Sequence, residues 1–221
     1  MESSLHRQLK EIYAGQGASL EERIGGYRID VVRGGALIEI QHGSLAAIRD
    51  KVRRLLDAHR VLVVKPIVVH KQLVKQDAKG GRVIDRRLSP KRGCLLDVFH
   101  ELVYFVRLFP HRNLVLEIPL IDVEEWRYPG HGRRRRWGRR DHEVEDQRLL
   151  RLHEIHRLRT AEDLLKLLPG DLPRPFHTGH LAARLGVPRW IAQRIAYCLR
   201  HAGAAEEIGR QSNARLYRLC G

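Results

Sequence analysis

Two apolar segments that meet at a pair of glycines constrain the fold of this chain more than any other feature. The segments are YRIDVV and ALIEIQ, and RGG joins them. Adjacent glycines accept the positive φ values of a tight turn, so the sequence predicts a β-hairpin over residues 27–41. With Gly34 and Gly35 as a two-residue loop, strand pairing places Asp30 opposite Glu39, on the same side as Gln41.

The opposed carboxylates of Asp30 and Glu39 predict a cation site. Like charges that face each other across a sheet cost roughly 0.2–1 kcal/mol, and more when they are desolvated. A divalent ion such as Mg²⁺ or Mn²⁺ would offset that cost, because it prefers carboxylate oxygens and can bridge to a phosphate. Two alternatives stay open: the acids pair with Arg28 or Arg33 at a solvated edge, or a one-residue slip in register separates them.

The flanking patterns predict alternating helices and strands. Apolar residues at helical spacing indicate helices over residues 3–14 and in GSLAAIRDKVRRLLDAHR, where Ser44 is the N-cap. The apolar run RVLVVKPIVV is typical of a strand in a sheet covered on both faces. A surface hairpin around DAKG, a helix in LLDVFHELVYFVRLF and a strand in NLVLEIPLIDVEEW follow. The predicted class is α/β, with a mixed sheet flanked by helices over residues 1–125.

The C-terminal part of the chain predicts a second, smaller domain. The composition changes at RYPGHGRRRRWGRRDHEVED, which indicates a basic linker and a connecting helix over residues 126–159. Thr160 is the expected N-cap of the next helix, with Asp163 at the capping-box position. A short helix, the turn LGVP, a longer helix and two short strands follow. This order predicts a winged helix-turn-helix over residues 160–221.

The order helix, RID, hairpin, IEIQ, helix, strand resembles the core of the PD-(D/E)XK nuclease superfamily, the fold of restriction endonucleases and archaeal Holliday junction resolvases. The resemblance covers residues 1 to about 70. It implies a restriction-endonuclease-like fold in which Asp30 and Glu39 bind the metal. The run from ESSLHRQLKEIYA through IEIQ to AIRDKVRRLL, with SPKRG and the C-terminal winged helix, is also similar to a group of uncharacterised bacterial proteins.

The resemblance also points to further site residues. Where the superfamily has lysine, this chain has Gln41, which cannot carry a positive charge. Some members borrow a lysine from the next helix, and Lys51 is the candidate for that role; an exposed lysine beside Asp50 is the alternative. Glu2 matches an acid that many members carry on the first helix, and Glu11 is its rival.

The charge of the chain predicts a nucleic-acid partner. A formal net charge of +15 and a pI near 10.4 are typical of proteins that bind a polyanion. Arginines near Trp126 and Trp137 suit phosphate contact and base stacking, although a solvated basic spacer is the alternative. The last long helix of a winged helix presents side chains to the major groove, although such domains also dock proteins. The predicted nucleic-acid contacts are Arg133, Arg134, Arg135, Arg136, Arg139, Arg140, Arg189, Gln193, Arg194 and Arg215.

The remaining features restrict the class of protein. Three cysteines without CxxC spacing argue against a disulfide framework and favour a reducing cytoplasm. No signal peptide, membrane span or thiolate zinc site is predicted. The HxxH pairs His153/His156 and His177/His180 lack a further ligand at a recognised spacing, so they are expected to be surface or packing residues.

These patterns together predict a DNA-binding, magnesium- or manganese-dependent deoxyribonuclease. Its catalytic residues would be Asp30, Glu39, Gln41 and Lys51. A catalytically inactive nuclease fold that binds DNA or regulates another protein is one alternative. A protein-interaction module that uses the winged helix is another. The oligomeric state is left open, with a homodimer as one option.

Overall fold

The fold is described by a computed structural model over residues 2–130 and 142–220. The described residues form six α-helices, with three short 3₁₀ turns between them: α1 (Ser4–Ala14), α2 (Arg49–Leu56), α3 (Val98–Leu102), α4 (Ala161–Leu165), α5 (Thr178–Leu185) and α6 (Arg189–His201). They also form ten strands: β1 (Ser19–Ile24), β2 (Tyr27–Arg33), β3 (Ala36–Ile40), β4 (Arg60–Val64), β5 (Ile67–Gln76), β6 (Val83–Leu88), β7 (Leu114–Pro129), β8 (His142–Leu158), β9 (Ala205–Gln211) and β10 (Ala214–Leu219).

The hairpin predicted over residues 27–41 is present as strands β2 and β3. Gly34 and Gly35 have φ values of 55° and 71°, which a turn of this kind requires and which glycine adopts without strain. Val31 pairs with Ile38, and Arg33 pairs with Ala36. This confirms the register that the two-residue loop predicted.

Strand β1 was not predicted, and it adds an outer strand to the hairpin. It pairs antiparallel with β2, and all of its residues are exposed or half-buried. An edge strand of this kind needs no run of apolar residues, because only its backbone is held by the sheet. The sequence SLEERI therefore gave no strand signal.

Strands β4 and β5 lie end to end along one edge of β7. Both pair with β7 in parallel, β4 with its start and β5 with its later residues, while β8 pairs antiparallel along almost its whole length. Since a strand has two edges and β8 occupies one, β4 and β5 share the other. The predicted strand RVLVVKPIVV is thus present in two pieces, interrupted at Lys65 and Pro66. The predicted hairpin around DAKG is confirmed as β5 and β6.

The predicted linker and connecting helix over residues 126–159 are wrong where the structure describes them. Residues 142–158 form strand β8, which belongs to the same sheet as the hairpin, so the boundary expected at residue 125 falls inside β7. Leu149 and Leu152 both pack near α1 although they are three residues apart. A register shift in the β7–β8 pairing lies between them and breaks the alternation that identifies a strand. Residues 131–141 lie outside the described part.

Helices cover the large sheet on both faces. On one face, Leu5, Leu9 and Tyr13 of α1 pack against Val31, Ile38 and Ile40 of the hairpin. On the other, α2 and α3 share a continuous apolar core with α6, in which Phe99, Phe105 and Leu199 are fully buried. The chain is therefore a mixed α/β protein whose hairpin lies between two helical layers.

The C-terminal residues follow the predicted order of helix, helix, turn, helix and hairpin. Asp163 accepts a hydrogen bond from the backbone N–H of Thr160 at 3.0 Å, as the capping-box spacing predicted. Strands β9 and β10 form a separate two-stranded sheet. Within the described part of the chain, no helix is long and apolar enough to cross a membrane.

Candidate active site at the acidic hairpin

Asp30 lies where the ladder between β2 and β3 ends. Val31 and Ile38 are the last paired residues at this end of the ladder. Beyond them, the side-chain carboxylate of Asp30 accepts the next backbone hydrogen bond in place of a backbone carbonyl. Its Oδ2 accepts a hydrogen bond from the N–H of Ile40 at 2.8 Å, and its Oδ1 lies 3.2 Å from Nε2 of His6. Burial favours the neutral acid, but these two contacts outweigh it and lower the pKa of Asp30. Asp30 is therefore a fixed, charged carboxylate.

Glu39 is buried beside Lys51. Only 4% of Glu39 is exposed, and its Oε1 lies 2.6 Å from Nζ of Lys51. The same ammonium group donates a hydrogen bond to the carbonyl of Arg28 on β2. Burial raises the pKa of Glu39, while Lys51 and the backbone N–H of Asp30 act against that rise. Lys51 thus extends from α2 to the acidic end of the hairpin.

Glu2 reaches Asp30 through His6. Oε1 of Glu2 lies 3.4 Å from Nε2 of His6 and 2.6 Å from Nζ of Lys10. His6 therefore stands between two carboxylates, one from the start of the chain and one from the sheet. Glu11, the other first-helix acid that the sequence offered, is exposed. Of the two, the structure places Glu2 near the hairpin acids.

Gln41 is turned toward the loop that follows β3. Its Nε2 donates a hydrogen bond to the carbonyl of Ser44 at 2.6 Å. Ser44 in turn caps the 3₁₀ turn before α2, as its N-cap position predicted. The side chain of Gln41 thus stabilises the loop, whereas the cationic group beside Glu39 comes from Lys51.

Lys65 and His42 are site residues that the sequence analysis missed. Lys65 is 7% exposed, and its Nζ donates hydrogen bonds to the carbonyls of His42 and Gly43. Burial, assisted by the positive charge of Lys65, lowers the pKa of His42 to about 4. The signal in the sequence was Lys65 itself, a lysine in the middle of the apolar run VLVVKPIVV. Lysine is almost never fully buried unless its charge is paired or hydrogen-bonded.

Asp30 lines an open cleft of about 410 Å³, and Glu39 is buried outside its lining. The chemistry of the ligand groups tests whether a metal fits this site. Oε1 of Glu39 is buried with the ammonium group of Lys51 2.6 Å away, and Asp30 beside it is ionised. Carboxylate oxygens of this kind suit Mg²⁺ and Mn²⁺. The cleft is lined by Glu2, Ser3, His6, Glu21, Arg28, Asp30 and His42.

A larger, basic groove of about 1020 Å³ lies along β5 and β6. Its cationic lining includes Arg87 and Lys91, which are exposed and form no salt bridge with any described residue. Lys71 also lines it, and the positive charge of Lys71 contributes to the low pKa of His42 in the acidic cleft. The basic groove and the acidic cleft are therefore neighbours. The basic lining residues are Lys71, Lys75, Arg87, Lys91, Arg92 and Arg127.

The nucleic-acid contacts predicted from the sequence differ in their exposure. Arg189 and Gln193 are exposed at the start of α6, and Arg215 is exposed on β10 with Glu207 3.2 Å away. Arg194 instead turns inward, where its Nη1 lies 3.0 Å from Nδ1 of His100 on α3. The six linker arginines, Arg133, Arg134, Arg135, Arg136, Arg139 and Arg140, lie outside the described residues.

Comparison with known proteins places residues 3–159 in a family described as a domain of unknown function, DUF8091. Because the match spans well over half of the chain, the protein belongs to that family. An uncharacterised protein of Treponema pallidum (strain Nichols) is 29% identical over 219 residues, which cover 98% of this chain and 85% of that protein. No solved structure matches the chain significantly. The family match ends at residue 159, directly after strand β8.

Proposed function

We propose that the protein is a divalent-metal-dependent nuclease that hydrolyses phosphodiester bonds in DNA. The observation that carries this proposal is the contact between Lys51 and Glu39 at the end of the hairpin, next to Asp30. The PD-(D/E)XK resemblance calls for two acids and a lysine at such a position. Gln41 replaces the expected strand lysine, and Lys51 supplies an ammonium group from the following helix.

Asp30 and Glu39 would hold Mg²⁺ or Mn²⁺. The ion supplies Lewis acidity, which activates water and neutralises charge on the scissile phosphate. Glu39 contributes a buried carboxylate whose Oε1 is paired with Lys51, and Asp30 contributes a carboxylate fixed by the Ile40 N–H. Glu2 and Asp30 both contact Nε2 of His6, so Glu2 is available as a further acid.

Lys51 would position the attacking water and stabilise negative charge that develops on the phosphate. Its ammonium group is anchored by the carbonyl of Arg28 and by Glu39, so it is held in place before substrate arrives. His6 can hold a proton between Asp30 and Glu2, because its Nε2 contacts both carboxylates. These groups belong to three elements: α1 and α2, which pack on opposite faces of the sheet, and the hairpin between them.

The basic groove beside the cleft supports DNA as the substrate. Exposed arginines and lysines there would contact phosphates without regard to base sequence. We assign the C-terminal helices and hairpin to a winged helix-turn-helix, with Arg189 and Gln193 facing DNA. Because Arg194 is engaged with His100, it would serve the contact between that unit and α3 instead.

Cleavage assays test the enzyme proposal directly. The full chain with Mg²⁺ or Mn²⁺ should cleave linear, nicked or branched DNA, and an Asp30→Ala, Glu39→Ala double variant should be inactive. Lys51→Ala should lose about 10²–10³-fold in rate, as expected when a fixed charge-stabilising group is removed. Gln41→Ala should lose less. Arg53→Ala, which changes an exposed residue on the same helix, is the matched control. Equal rates for the wild type and the double variant would end the enzyme proposal.

A second candidate is a DNA-binding or regulatory protein in which the nuclease fold is only a scaffold. The contacts of Asp30 with His6 and the Ile40 N–H favour it, because they already satisfy that carboxylate. Calorimetry with Mn²⁺ separates the cases, since a scaffold would show no affinity that depends on Glu39. A protein-docking role for the C-terminal unit is the third option. DNA binding that is absent or insensitive to salt would favour that option.

A further inference from the structure

Two histidines and an aspartate from three adjacent strands converge away from the acidic hairpin. His70 lies on β5, Asp122 on β7 and His153 on β8, and one ligand atom of each lies within 4.8 Å of the others. Nδ1 of His70 is 2.8 Å from Oδ1 of Asp122, and Nε2 of His153 is 2.8 Å from Oδ2 of the same carboxylate. Asp122 therefore has one imidazole at each of its oxygens.

The strands are irregular at this cluster. Val69 is an extra residue in β5 between the partners of Ile121 and Asp122. On β8, the residues 153–154 lie opposite the single residue Leu120. Bulges of this kind re-aim side chains and are concentrated next to functional sites. Ile121 and Val123 pack in the cluster under α1, so strand alternation directs Asp122 to the opposite face of the sheet.

A hydrogen-bonded polar cluster would explain only part of this arrangement. Nδ1 of His70 is aligned with Asp122, but Nε2 of His153 is buried without an aligned hydrogen-bond partner, despite its short distance to Oδ2. A hydrogen bond weakens steeply when donor and acceptor are poorly aligned. A cation shared by the three side chains would replace that poorly aligned contact and would use the lone pairs of both rings.

We propose that His70, Asp122 and His153 form a binding site for a divalent transition metal, with Zn²⁺ as the first candidate. Two imidazoles and one carboxylate select ions such as Zn²⁺ or Fe²⁺ over Mg²⁺, which prefers oxygen ligands alone. Ligand atoms about 2.0–2.2 Å from one ion lie about 3–4 Å apart, so small rotations of the rings complete the site. Three protein ligands leave at least one position for water or another molecule.

Arg92 is the group that opposes metal binding. Its Nη1 lies 3.3 Å from Nε2 of His70, and its side chain belongs to an exposed segment at the edge of the basic groove. When Nδ1 of His70 binds a metal, the ring carries its proton on Nε2 and loses this contact. Removing the guanidinium in Arg92→Ala should therefore tighten metal binding by several-fold.

Calorimetry with Zn²⁺, together with the visible absorption of added Co²⁺, tests the site on the full chain. The wild type should bind, and Asp122→Asn should weaken Zn²⁺ binding by more than about 100-fold, beyond the 10–100-fold typical of outer-shell changes. His153→Gln should behave in the same way and serves as the second variant if Asp122→Asn does not fold. His156→Gln, on the same strand, and His177→Gln, in the stacked pair with His180, are controls for stray histidine binding.

Glu39→Gln separates this site from the proposed nuclease centre. It should abolish Mn²⁺ affinity at the hairpin and leave Zn²⁺ binding unchanged, so that either proposal can fail alone. Unaltered Zn²⁺ affinity in both Asp122→Asn and His153→Gln, or no affinity in the wild type, would overturn the assignment. Loss of binding in His177→Gln with retention in Asp122→Asn would place the ion on the other histidine pair instead.

Discussion

Individual charged side chains determine the chemistry near the hairpin, and burial sets their protonation. Asp30 and Glu39 are neighbours, yet the pKa of Asp30 is lowered and the pKa of Glu39 is raised. The difference follows from their contacts. Asp30 has His6 and a backbone N–H to support its charge, whereas Glu39 lies deeper and depends on Lys51. Acid and base functions at one site commonly arise from such unequal environments.

His42 should make stability fall as the solution becomes acidic. Its folded pKa of about 4 lies below the ordinary value of 6.5, because burial and Lys65 disfavour the charged ring. The unfolded chain therefore binds the extra proton first, and stability present above pH 6.5 is lost as the pH falls toward 4. The half-buried position of the residue suggests a loss of about 1–3 kcal/mol.

Urea unfolding of the wild type and of His42→Gln at pH 7.5 and pH 4.5 measures this effect. The variant should lose less stability between the two pH values than the wild type does. Because other groups also titrate in this range, the difference between the two proteins is the quantity that counts. An identical pH dependence would show that His42 is solvated in the folded state.

Among the elements, the hairpin was predictable and its surroundings were not. Gly34 and Gly35 define the turn, its length defines the register, and the register identifies the residues that meet. Strand β8 was missed because register shifts hide its alternation, and β1 was missed because an exposed edge strand needs no apolar residues. Local sequence patterns predict helices and tight turns well, whereas β-bulges and edge strands depend on pairing with strands elsewhere in the chain.

The turn conformation gives a test at a single position. Gly34 has a φ of 55° and nothing near the place where a side chain would begin, so only backbone strain decides the outcome. Gly34→Val should destabilise the protein by about 1–2 kcal/mol, because a branched residue resists the left-handed region. Gly34→Asn should cost much less, since asparagine adopts that region readily. Denaturant unfolding of both variants measures the contrast, and equal losses would contradict the assigned turn.

The whole molecule assembles one of its two candidate sites from residues that are far apart in sequence. Asp30, Glu39 and Lys51 lie within one short stretch, so the sequence could suggest them together. His70, Asp122 and His153 meet only because β7 lies between β5 and β8, an order that no local pattern encodes. For the same reason, the sequence predicted only a surface or packing role for His153 beside His156. The sheet order is therefore the information that sequence reasoning lacked.

The charge distribution of the whole molecule predicts how the proposed DNA binding should respond to salt. Arg87 and Lys91 of the basic groove are exposed and form no salt bridge among the described residues, so both can contact phosphates. Each phosphate contact contributes about 0.9 to the slope of log K against log salt, because it releases a counterion. Replacing both residues with glutamine should reduce the magnitude of that slope by about 2.

Fluorescence anisotropy with a short labelled duplex, measured over a series of salt concentrations, tests this expectation. The matched control replaces Arg53 and Arg54, two exposed arginines of α2 that do not line the groove, with glutamine. Both double variants lose the same net charge, so a difference between their slopes reports the position of the charges and not their number. If the two variants bind with equal slopes, DNA does not follow the groove beside β5 and β6.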